Sequence, residues 1–176
     1  PCPDAPRITG AIVRCAHNGN DIRSRGSLPI FQFGLSMRIP LITRSLLIIC
    51  AIVYVLQLMD DQAWLMIHLA LWPLGSGELP VSLGGWPEFR PWQLLTYGFL
   101  HGSPPHLLFN GLALWMFGSD LERFWGPGPY LRFVLAAIIG AGVAQLVVAS
   151  LGGEPYPTVG ISGGVYGVLL GFGMMF

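Results

Sequence analysis

Between Leu41 and Met59 the chain runs for about the thickness of a bilayer's hydrocarbon core, interrupted only by polar residues near its start and by Gln57 near its end. In lipid no water is at hand to satisfy backbone N–H and C=O groups, so a single spanning segment of this kind has to be helical. A second run, Tyr130 to Leu151, is interrupted before its end only by Arg132 near its start and by Gln145, and offers Gly140 and Gly142 as small contact points. Shorter apolar runs reach as far as Phe117 and from Val165 to Phe176. The pattern predicts an all-α membrane protein, a polytopic helical bundle with spans at about 41–59, 104–118, 130–151 and 161–176. Composition agrees: 53% of residues are hydrophobic, 10% are charged and the mean hydropathy is +0.61, too apolar for an ordinary soluble domain.

Charge then orients the spans. Arg38 and Arg44 flank the beginning of the first span and Asp60 and Asp61 follow its end, which predicts a cytoplasmic N-terminal side. Arg123 and Arg132 fall on that same side, and the loop after the third span contains no Arg, as an outer loop should. The chain therefore returns to the non-cytoplasmic face just before Ser162. A formal net charge of +0 leaves no broad basic surface, so nucleic acid is excluded as a partner class. Cys2, Cys15 and Cys50 lack zinc spacing, and no metal or cofactor is expected.

Residues Pro1 to Ser36 carry four of the arginines with many Pro, Gly, Asn and Ser, and predict a disordered leader in which His17 has no role. Met37 stands directly ahead of Arg38, so 1–36 is expected to be an upstream extension and 37–176 the membrane domain. From Asp60 to Leu100, Trp64, Trp72, Trp86 and Trp92 are interleaved with Pro73, Pro80, Pro87 and Pro91, which suits a partly immersed outer loop with His68 as an interfacial histidine.

Chemistry concentrates in Val159-Gly160-Ile161-Ser162-Gly163-Gly164-Val165-Tyr166. Ser162 lies at a loop-to-helix junction, where it is either a helix N-cap or a nucleophile; Gly160 and Gly163 clear side chains from around its hydroxyl and leave its N–H free to donate. The stretch also fits G-x-S-x-G, but the elbow of soluble hydrolases needs a buried strand before the serine, and here a Pro/Gly loop comes first. Upstream, Ser103 is placed to cap a helix with Pro104 in its first position. Within that helix His106 and Asn110 are four apart and share one face, which would be costly against lipid and so should point into the bundle. Hydrogen bonding between helices alone would explain the pair equally well. Gly118, Glu122 and Gly126 recur every four residues in a polar turn, a structural arrangement in which Glu122 bonds to nearby amides or to Arg123.

Taken together from Arg38 to Gly171, these residues resemble the rhomboid family of intramembrane serine proteases. The resemblance rests on the Trp92 to Leu100 lead-in, the His101/His106/Asn110 set, the Gly118/Glu122/Gly126 turn, and Gly160-x-Ser162-Gly163 with Tyr166. It implies a core of six membrane helices, four of them present here, in which a Ser/His dyad cuts transmembrane protein substrates without a cofactor. By that match Ser162 is the nucleophile; His106 and Asn110 stabilise the oxyanion with the Ser162 N–H; His101 organises the outer end of the second helix; and Tyr166 is the aromatic beside the catalytic histidine. The family carries that histidine on the sixth helix, so the chain is expected to be a fragment, inactive as it stands, of a protease in the bacterial inner membrane that opens to the non-cytoplasmic side. The competing readings are a catalytically dead rhomboid-like protein that binds transmembrane helices, and a small transporter or channel subunit. No internal repeat or mid-span carboxylate supports the latter.

Overall fold

The computed structural model describes residues 38–61, 63–74, 87–151 and 156–176; the leader, with Cys2, Cys15 and His17, lies outside them, as do Pro80 and Trp86. The first apolar run folds as α1, Leu41–Leu58, entered from an extended Pro40. Helix α2, Trp64–Leu69, and helix α3, Gln93–Thr96, which continues as a 3-10 turn Tyr97–Phe99, lie between the first two spans. Helix α4, Pro104–Ala113, passes through a π turn, Leu114–Gly118, into α5, Ser119–Trp125. Helix α6, Pro127–Ser150, and helix α7, Ser162–Met175, complete the bundle. The outside is apolar: Ile48, Ile52 and Val55 of α1 and Val143 and Val147 of α6 are each about half exposed. Such side chains gain roughly 1.5–3 kcal/mol each on leaving water, which a bilayer supplies. The protein is an all-α membrane protein.

The polar stretch after Gly118 is not a turn. The second span continues helically through Ser119, Asp120, Glu122 and Arg123 to Trp125, and the turn is confined to Gly126 at φ +82°. Charged residues do not end the helix because each has a partner: Glu122 is buried inward, while Arg123 pairs with Asp120 at 2.9 Å on the outside. The π turn has a consequence for register. An α-helix advances about 100° per residue, so Asn110 and Glu122, twelve residues apart, would diverge by about 120° on a straight helix. One π turn absorbs an extra residue and leaves them about 20° apart. Asn110, Leu114, Gly118 and Glu122 accordingly all lie buried along one side.

Both ends of α1 are pinned to this second span. At its start, Glu122 accepts from the amides of Ile42 (2.8 Å) and Thr43 (2.7 Å) and from the Thr43 hydroxyl (2.8 Å). These are the second and third amides of α1, the donors that an N-cap side chain would normally satisfy. The capping carboxylate thus comes from another helix, and its charge complements the helix dipole. At the far end Gln57 accepts from the His101 N–H at 2.9 Å and donates to the His101 carbonyl at 3.2 Å. Between the pins, Leu46, Cys50, Leu114, Leu121, Tyr130, Val134, Ile138 and Val168 form the core.

Helix α7 packs antiparallel on α6. Gly163 lies against Ala141 and Gly167 against Ala137, with no space for a Cβ at either, and Gly171 faces Phe133. Close backbone approach through small residues is the usual device where lipid gives helices no hydrophobic reason to associate. The region between spans one and two is tied to this pair by hydrogen bonds. Leu71 and Thr158 form an isolated antiparallel bridge, with N–H to O distances of 3.0 and 2.9 Å. Within that region the Thr96 hydroxyl donates to the Leu69 carbonyl at 2.8 Å.

Candidate active site

Ser162 is the first helical residue of α7; Ile161 occupies the cap position, and no side chain caps this helix. The N-cap alternative for Ser162 therefore does not describe the fold. The first amide to bond back into the helix is that of Val165, to the Ile161 carbonyl at 2.9 Å. The amides of Ser162, Gly163 and Gly164 precede it and have no intrahelical acceptor, at the end of the helix where the dipole favours negative charge. Ser162 is half-buried, neither sealed in the core nor open to the surface.

The loop that delivers Ser162 is fixed at three points. Thr158 pairs with Leu71; the Gly160 N–H donates to the Tyr97 carbonyl at 2.9 Å; and Ile161 is buried at 1% exposure. Tyr97 in turn donates its hydroxyl to the Ile138 carbonyl of α6 at 2.7 Å, so one residue holds both the loop and the helix against which α7 packs. Gly160 has φ +113°, a conformation L side chains rarely adopt, and a Cβ there would lie 2.5 Å from Cε1 and 2.7 Å from Nε2 of His106. The imidazole thus rests against the backbone two residues before Ser162.

His106 is carried by α4, whose start is shaped as its sequence dictates. Ser103 is the N-cap, its hydroxyl accepts from the His106 N–H at 3.3 Å, and Pro104 occupies the first turn. One turn further in, Asn110 is 6% exposed and its Nδ2 has no partner among the described residues. A buried amide donor left unmatched is uncommon and costs free energy, which marks it as available to a ligand or water. His106 and the Gly160 loop thus come together where α4 meets the start of α7, and Asn110 lies one turn further along α4.

His101 stands behind this group rather than in it. It is 2% exposed, and its ring meets that of His106 edge-on at 5.2 Å. Neither of its ring nitrogens makes a well-formed hydrogen bond among the described residues. Burial, reinforced by the neighbouring His106 and opposed by the Phe99 carbonyl, lowers its pKa to about 4, so it is neutral at ordinary pH. Its position is set through its backbone by Gln57. Tyr166 is 72% exposed on the outer side of α7 and does not join the cluster. Gly118 and Gly126 lie at the opposite end with Glu122, where the Tyr130 ring packs on Gly118. His68 bonds its Nδ1 to the Trp64 carbonyl at 2.9 Å and stacks on the Trp64 ring. Sequence reasoning gave no role to Tyr97 or Thr158, and noticed Gln57 only as a polar interruption. A lone amide side chain in the last turn of an apolar span was the signal for Gln57; Tyr97 and Thr158 carried none.

The sequence profile of the Rhomboid domain matches residues 88–176, about half of the chain. The chain is also 40% identical over 89 residues to the Rhomboid protease GluP of Bacillus subtilis (strain 168), a stretch that covers 51% of this chain and 16% of that protein.

Proposed function

This chain belongs to the rhomboid family, and from that premise we propose that it forms the nucleophile-bearing part of an intramembrane serine protease. The carrying observation is the meeting of α4 and α7: the uncapped N-terminus of α7 presents Ser162, and the loop before it lies on His106, one turn from the unmatched Nδ2 of Asn110.

In this reading the Ser162 hydroxyl attacks the carbonyl of a peptide bond in or near a transmembrane segment. The negative charge that develops on the carbonyl oxygen is met by the Ser162 N–H, by Asn110 Nδ2 and by the His106 ring. Each such donor is worth about 10²–10³ in rate where it has been removed from other hydrolases. His101 and Gln57 position His106 from behind; Tyr97 and the Leu71–Thr158 bridge position the serine loop. The proton of Ser162 passes to a histidine on a helix following α7, with Tyr166 on the face of α7 turned toward that helix. No cofactor enters the chemistry. The N-terminal side of α1 is cytoplasmic, and the site opens at the opposite face of a bacterial inner membrane.

Labelling of the full-length protein with a fluorophosphonate tests the reading. Covalent modification should fall on Ser162 and fall about a hundredfold for Asn110→Ala. Absence of label on Ser162 would exclude a nucleophilic role for it.

A further inference from the structure

The segment between the first two spans carries a feature that the proteolytic reading does not use. Arg90 is exposed, with its guanidinium carbon 5.3 Å from the centre of the Trp92 ring. Trp92 is itself fixed, donating its indole N–H to the His68 carbonyl at 3.0 Å, and His68 stacks on Trp64 with ring centres 4.4 Å apart. Among the described residues Arg90 forms no ion pair; Glu88, two positions before it, is not within pairing distance. Among the described residues nothing accepts from the guanidinium, while an aromatic face holds it in place.

The level of this group relative to the membrane follows from its contacts. Gln57, in the last turn of α1, reaches the Met66 sulfur at 3.6 Å while it holds the His101 backbone. Helix α2 therefore lies level with the end of a spanning helix, where hydrocarbon gives way to headgroups. At that level Trp64 (55% exposed), Trp92 (49%) and Leu95 (37%) present apolar surface, and Arg90 sits beside them. Aromatics at this depth suit the interface, and a lone cation there finds its complement in a phosphate.

We propose that Arg90, Trp92 and Trp64 form a docking site for an anionic phospholipid on the same membrane face as Ser162. The guanidinium pairs with the headgroup phosphate, and the upper acyl chain lies along Trp92, Trp64 and Leu95. One cation with no enclosing cradle does not hold inorganic phosphate; the acyl contact supplies what the single charge lacks.

Native mass spectrometry of the 176-residue chain in a mild nonionic detergent tests this. The protein is titrated with phosphatidylglycerol, with phosphatidylcholine of the same chain length, and with inorganic phosphate. Phosphatidylglycerol should bind roughly five- to tenfold more tightly than phosphatidylcholine, whose quaternary ammonium offsets its phosphate and repels the guanidinium. Arg90→Gln should abolish that preference, Arg90→Lys should keep part of it, and Arg123→Gln at the opposite end should leave it intact. An unchanged melting temperature for Arg90→Gln separates lost binding from misfolding; if that variant does not fold, Trp92→Leu should weaken both lipids together. The proposal is overturned if Arg90→Gln retains the preference, if Arg123→Gln loses it equally, or if inorganic phosphate displaces the lipid.

Discussion

The His106 imidazole lies against the backbone of Gly160, so closely that a methyl group on that residue would come within 2.5 Å of Cε1. This contact couples α4 to the loop that sets Ser162, and only glycine permits it, since φ is +113° as well. Gly160→Ala should cost about 1–3 kcal/mol in backbone strain and displace the ring. Fluorophosphonate labelling of Ser162 in the full-length protein should drop at least tenfold, by the order of one misplaced oxyanion donor. Gly173→Ala, in the same helix as Ser162 but with open space around it, should leave labelling unchanged.

Glu122 caps a helix to which it does not belong. Glu122→Ala would orphan the amides of Ile42 and Thr43 at the buried start of α1, at about 1–3 kcal/mol for each donor. Thr43→Val leaves both amide contacts, removes the hydroxyl's contacts with Glu122 and Tyr130, and should cost about 1 kcal/mol. Denaturant midpoints of the two variants, compared in one detergent, check the order.

Gln57 satisfies both backbone groups of His101. Gln57→Leu roughly preserves size but leaves the His101 N–H and C=O without that partner, and should destabilise the protein by about 2 kcal/mol. Equal stability of the variant and the parent in thermal unfolding would show that the clamp contributes nothing.

His101 gives the fold a pH dependence with a definite sign. Its ordinary pKa is 6.5 and in the fold it is about 4, so between these values the unfolded chain binds a proton that the folded chain refuses. Its contribution to stability is complete above about pH 6.5 and is lost progressively as the pH falls toward 4. Melting temperatures at pH 7.5, 6 and 5 should decline, and His101→Phe should make the decline shallower.

The apolar spans and the start of α4 were legible in the sequence, because lipid enforces length and apolarity on a span, and Ser103 with Pro104 is a local start signal. Local pattern did not carry what distant residues decide. Leu114 to Gly118 contains no helix breaker, yet packing on both sides widens it into a π turn. A cluster of polar residues from Ser119 to Trp125 suggests a turn, whereas the segment is helical and the amides that Glu122 meets lie eighty residues earlier in the chain. Gln57, Tyr97 and Thr158 act through backbone groups of remote segments, which no spacing rule exposes.

The central claim is that Ser162 is the nucleophile of a membrane-embedded protease. Expression of the full-length protein beside a reporter with a single transmembrane helix measures it directly. Cleavage near the end of the reporter's helix by the parent, and none by Ser162→Ala at equal protein level, is the expected outcome; cleavage undiminished in Ser162→Ala would overturn the assignment of Ser162 as nucleophile.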